Sequence, residues 1–191
     1  EEQLELPKGS FMAHVTAPDD WTMVLKIHAM LEAALNLALR EEKGGRFKGF
    51  TSHNVPLGIH SGSGKTALAL GLGLLDEDSA KKMDSLTDLR NVYAHNPRSA
   101  TKTIAEIVPL SKHPNLLERH LALPSRMLAE VANKWRTQVV VASLRVLNTL
   151  VNVRLEQLVA AATDATFNDQ QLSDAVRNSR RMVRAGSAAP W

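Results

Sequence analysis

The chain has 191 residues, enough for one domain with a sizeable core. It contains no cysteine, which excludes disulfides and thiolate metal sites and fits a reducing compartment. Lys and Arg number 23 against 20 Asp and Glu, a net charge of only +3, but that charge is unevenly spread.

Residues 1–20 read as an irregular segment carrying Pro7 and Pro18. Its acidic start, with Glu1, Glu2 and Glu5, has the wrong charge for a signal peptide. "GSFM" over 9–12 fits either a cloning scar or native sequence. A first helix is expected over 21–42, because Val24, Ile27, Leu31, Ala34, Leu35 and Ala38 recur at helical spacing. Asp19 or Asp20 can cap its start, and Gly44-Gly45 ends it. Residues 44–63 read as a loop. "KTALALGLGLL" follows as a short buried helix, with Gly71 and Gly73 as its weak points.

The next helix is "DEDSAKKMDSLTDLRNVYAH", with Asp76, Glu77 and Asp78 at the positive end of its dipole. Its apolar stripe is Met83, Leu86, Leu89, Val92 and Tyr93. Pro97 disfavours helical geometry at Asn96, so this helix should stop near His95. Residues 97–123 read as a long connection with room for a short helix over 101–108. Pro124 then opens a long helix to about 162. It is apolar on most sides, with a narrow polar stripe of Lys134, Gln138, Arg145, Asn148, Asn152 and Glu156. Such a helix must be covered by a bundle or by a second copy of the chain. A basic helix or tail ends the chain over 163–191. The fold expected is all-α, a bundle of about four to six helices with one single domain over 21–162. The longest apolar run, 139–151, is too short and too polar to span a bilayer, and the setting expected is cytoplasmic.

Two stretches suggest chemistry. "SGSGKT" resembles part of a phosphate-binding loop, with Gly64, Lys65 and Thr66 as its second half. The first glycine should stand at position 59, where Ile59 is found, and "FKGFTSHNVPLGI" makes a poor preceding strand. A nucleotide cofactor is therefore not expected. Zinc is not expected either: His113 and His120, like His53 and His60, stand seven apart with no cysteine or tight acidic cluster nearby. His28 and Glu32, one helical turn apart, read as a surface or dimer-groove pair.

The stronger stretch is "DLRNVYAHNP", residues 88–97. Arg90 offers a fixed fork of donors for phosphate. His95 can move a proton near neutral pH. Together they suit phosphoester chemistry on RNA, whose 2′-hydroxyl is an internal nucleophile. Five residues along a regular helix turn the two side chains about 140° apart. They converge only if the helix distorts before Asn96-Pro97 or if a second subunit completes the site. The plain alternative is structural: Arg90 paired with Asp84, Asp88 or Glu77, and His95 capping helix carbonyls.

The string Arg90-Asn91-Val92-Tyr93-Ala94-His95, closing a helix in an all-α chain, resembles the signature of the HEPN superfamily. The wider stretch 61–95 is similar to the mannitol operon repressor family, with Lys65, Ala69, Gly73, Leu74, Leu75 and Asp76 in matching places. "LKIHAMLEAAL", 25–35, resembles the first helix of such domains. The resemblance implies a helical homodimer with the Arg–His motifs near a shared cleft. It also implies two functions. One is a non-catalytic regulatory or interaction module, with RNA or a regulatory protein as partner. The other is a metal-independent endoribonuclease in which His95 is the acid/base, Arg90 stabilises phosphate and Asn91 positions. Toxin-type members often carry Tyr two residues after the His. Pro97 stands there instead, which favours the regulator. Outside this region Arg177, Arg180, Arg181 and Arg184, with no acid among residues 177–191, are candidates for nucleic-acid contact.

Overall fold

The computed structural model describes residues 2, 5–42, 64–123 and 133–186, with side chains described to residue 163. Among these residues there is no strand, and seven α-helices form the chain: α1 Ser10–Val15, α2 Asp20–Glu41, α3 Lys65–Gly71, α4 Glu77–His95, α5 Ile104–Ile107, α6 Pro114–Leu121 and α7 Lys134–Gly186. The all-α architecture expected from the sequence is therefore present. Helices α1, α3, α5 and α6 have eight residues or fewer, and α1, with Phe11 buried, corrects the expectation that residues 1–20 are irregular throughout.

Helix α2 is the centre of the core. Met23, Val24, Ile27, Leu31, Leu35 and Ala38 are buried on it. By length and apolarity α2 could cross a bilayer, but most of that stretch is buried inside the protein. Asp19 caps its start, its carboxylate accepting the Thr22 N–H at 2.7 Å. Asp20 is buried and ties three segments together. Its Oδ2 accepts the Ile104 N–H at 2.9 Å, and its Oδ1 accepts Arg136 Nη1 at 3.1 Å. The same guanidinium donates to the Val15 carbonyl at 3.1 Å and to the Ala17 carbonyl.

Of the short buried helix expected over 65–75, α3 takes Lys65–Gly71, with Lys65, Thr66 and Ala69 buried and Leu70 exposed, and a left-handed glycine follows its end. Gly73 has φ 73°, its N–H reaches Leu70 O at 3.0 Å, and Leu74 N–H reaches Ala69 O at 2.8 Å. This paired closure sets its turn residue in the left-handed region, which favours glycine. Asp76 then caps α4 through Ser79 N–H at 2.6 Å. Helix α4 packs against α2, α3 and α6, so it stands where any site on the 88–97 stretch must form. It ends at His95, with Asn96 extended before Pro97 as expected.

The connection expected over 97–123 holds more than one short helix. A 3₁₀ turn at Pro97–Ser99 leads to α5, a second 3₁₀ turn at Val108–Leu110 and then α6. Pro114 is the first residue of α6, where its missing N–H costs nothing.

The chain divides into two compact units, Glu1–Arg154 and Leu155–Trp191. In the first, Val139, Ala142, Val146 and Leu150 of α7 enter the core, while Leu144 is 45% exposed. Gln138, expected on the polar stripe, is buried there too. In the second, Leu155, Leu158 and Val159 are exposed on the same helix. The loop at 44–63, the long helix's expected start at 124, His53, His60 and the side chains of Arg177, Arg180, Arg181 and Arg184 lie outside the described residues.

Candidate functional site

Helix α4 presents chemistry on two faces. On the face toward α2, Thr87 donates its hydroxyl proton to Met83 O at 2.8 Å. Its oxygen is then free to accept from His28 Nε2, 3.1 Å away on α2. This fixes the tautomer: His28 carries its proton on Nε2. Burial and the nearby Arg90 charge lower the imidazole from 6.5 to about 4, with Glu32 opposing. The expectation of a surface or dimer-groove pair at His28 and Glu32 is corrected here. His28 is buried because Thr87 offers it a partner across the α2–α4 contact. Glu32 pairs instead with Lys65 Nζ at 2.9 Å. Lys65, the cation of the "SGSGKT" string, is thereby buried in an ion pair between α3 and α2.

Arg90 is half-buried beside this group. Its Nη1 donates to Asn91 Oδ1 at 2.9 Å. No ion pair joins it to Asp84, Asp88 or Glu77, and among the described residues it has no carboxylate partner at all. Glu77 pairs with Lys81 at 2.7 Å. Tyr93, inside the same motif, is structural: its buried ring carries a hydroxyl that donates to Lys102 O at 3.0 Å. Burial, with the Asp20 and Asp19 charges, raises the pKa of that phenol, so it stays protonated.

The other face of α4 borders a cleft of about 470 Å³ closed by residues 112–120. Asp84, Ser85, Asp88 and Asn91 line it from α4, and Lys112, His113, Leu116 and His120 line it from the opposite side. Positions 84, 88, 91 and 95 follow the i, i+4, i+7, i+11 rhythm of one helix stripe. His95 is thus the next position beyond the cleft-lining stripe, and it is exposed. It makes no hydrogen bond among the described residues, so it does not cap the helix carbonyls. Ser85 Oγ meets His120 Nδ1 at 3.0 Å. Burial lowers the pKa of His120, as do the Lys81, Arg119 and Lys82 charges, with Asp84 opposing.

The three motif residues therefore divide. Asn91 and His95 belong to the cleft stripe, whereas Arg90 leaves the helix toward α2. The helix stays regular through His95, so Arg90 and His95 remain about 140° apart on it. The distortion that could have aimed both at one atom in a single chain is absent. Arg90 reaches the cleft only through its bond to Asn91. Sequence reasoning took Asp88 only as a possible partner for Arg90, and it missed Lys112 and the α6 wall. The signals were present in the helical rhythm of 84, 88, 91 and 95 and in Pro114 as a helix opener. Among the described residues no group of three or more His, Asp or Glu side chains could hold a metal ion. No protein-family model, curated protein or solved structure matches the chain.

Proposed function

We propose that this chain is a non-catalytic regulatory or interaction module of HEPN-like type, similar to the mannitol operon repressor family and acting as a homodimer. The observation that carries the reading is the divergence of Arg90 and His95. Arg90 bonds Asn91 on the side of His28, while His95 stands exposed at the end of the other stripe. General acid/base cleavage needs the proton carrier and the charge stabiliser around the same phosphate. One chain does not bring them together. Pro97, which ends α4 directly after the motif, supports the same reading.

One observation favours the ribonuclease reading. Arg90 has no carboxylate partner among the described residues, and His95 has no hydrogen bond, so both keep capacity for a substrate. A second copy of the chain would then have to supply one member of each pair. The deciding assay incubates a varied single-stranded RNA pool with purified protein in excess EDTA. The regulatory reading expects intact RNA. Fragments ending in a cyclic phosphate and a 5′-hydroxyl would overturn it, provided that His95→Ala and Arg90→Ala slow their appearance by roughly 10²- to 10⁴-fold. Both variants must keep wild-type helicity and melting temperature for that comparison to count.

A further inference from the structure

We propose that the cleft between α4 and residues 112–120 binds a guanine base, carried by a free nucleotide or by single-stranded RNA. The space is of the right order. At about 470 Å³ the cleft falls in the range of small-molecule sites. Its lining is partly apolar: Leu117 is buried, and Leu116 stands 42% exposed beside the exposed imidazole of His113. An aliphatic wall and an imidazole ring are surfaces on which a base can lie flat.

The polar groups then choose the base. Asp88 is half-buried and takes part in no ion pair or hydrogen bond among the described residues. Its carboxylate is acceptor-only and offers two oxygens. Asn91 stands three residues further along the same helix, so the two side chains are neighbours. Arginine is donor-only, so the Arg90 bond assigns Oδ1 of Asn91 as the acceptor and leaves its Nδ2 hydrogens free. Asp88 and Asn91 together read acceptor, acceptor, donor. Guanine presents the complement on one edge: N2–H, N1–H and O6. Adenine and cytosine each offer a single amine beside acceptors, and uracil a single N–H between two carbonyls. Guanine is the one common base that satisfies all three groups. Lys112 is exposed in the lining, without an ion pair among the described residues, where it can meet the attached phosphate as a point charge.

The inference goes beyond the regulatory reading and does not depend on whether the chain cuts RNA. It gives the Arg90–Asn91 bond a purpose, since that bond fixes which end of the Asn91 amide faces the cleft.

The test titrates the full chain with GMP, IMP, AMP and CMP by calorimetry, then with short single-stranded RNAs with and without guanosine. GMP should bind about 5- to 150-fold more tightly than AMP or CMP, the usual worth of a bidentate base contact. IMP lacks the 2-amino donor and should fall between them. A folded Asp88→Asn variant should lose the preference for guanine. Lys112→Ala should weaken all four nucleotides alike and keep the preference. Tighter binding of guanosine-containing RNA than of GMP assigns the base to a strand, and binding of GMP alone assigns it to a free nucleotide. Four equal affinities, no binding of any probe, or an Asp88→Asn protein that still prefers guanine would overturn the proposal. The GMP–IMP comparison is made on the unaltered chain and decides the matter even if a variant fails to fold.

Discussion

Burial against Thr87 and the charge of Arg90 hold the His28 imidazole neutral, at about 4 against an ordinary 6.5. In the unfolded chain the same ring takes up a proton near pH 6.5. The folded value is the lower one, so folding favours the neutral form. This contribution is complete above pH 6.5 and is lost as pH falls from 6.5 toward 4, by at most about 3 kcal/mol. His120, also lowered by burial, works in the same direction. The melting temperature should therefore fall steadily across that window. His28→Gln keeps an N–H for Thr87 but does not titrate, so its profile should be flatter. A wild-type-sized fall in the variant would refute the assignment to His28. The motif itself was legible at this scale, because an Arg–Asn–His string before a proline needs no fold to be noticed. The partners were not. That Arg90 would bond Asn91 beside His28, and that His28 would meet Thr87, depends on how α2 docks on α4.

At the scale of elements, the end of α3 and the turn after it carry two glycines with opposite needs. Gly71 is an ordinary helical residue with nothing within 4 Å of where a Cβ would stand. Gly73 has equal space but φ 73°, which other residues adopt at a cost. Gly71→Ala should raise stability by roughly 0.5–1 kcal/mol, and Gly73→Ala should lower it by about 1–2 kcal/mol. For a chain of this size each kcal/mol moves the melting temperature by about 2–4 °C, so thermal scans of the pair should shift in opposite directions. Shifts of the same sign would disprove the account. Helices α2 and α4 were readable because caps and apolar rhythm agree in them, whereas α3 has no side-chain cap and its periodicity alone is ambiguous. Helix α6 was harder, since eight residues opened by Pro114 look like loop until Leu117 and Leu121 are seen to be buried together. The long helix expected to end near 162 and the basic helix or tail expected over 163–191 form one helix that runs unbroken to Gly186. Neither Gly nor Pro interrupts it before that residue.

At the scale of the whole molecule, the proposed dimer rests on the apolar residues that α7 leaves uncovered. Leu144 is the position to test. Val140, its neighbour one turn earlier, is half-buried and packs on the core, so altering it would confound folding with assembly. Light scattering at micromolar concentration should return twice the chain mass. Leu144→Asp should return one chain mass with unchanged helicity. A monodisperse wild-type monomer would remove the dimer and, with it, any shared Arg–His site. The fold class was legible from periodicity alone, but the contacts that close the fold were not. Asp19 and Asp20 both read from sequence as candidate caps; Asp19 is the cap, and Asp20 is the anchor of Ile104 and Arg136, partners 84 and 116 residues away. Such distant partners carry a loop-closure cost that neighbours within one helical turn do not. Contacts made late add little to the rate of folding and mostly slow escape from the native state. If the clasp at Asp20 closes after the folding barrier, Asp20→Asn should speed unfolding and leave the folding rate unchanged in a denaturant-jump measurement; a slowed folding arm would place the clasp in the nucleus instead.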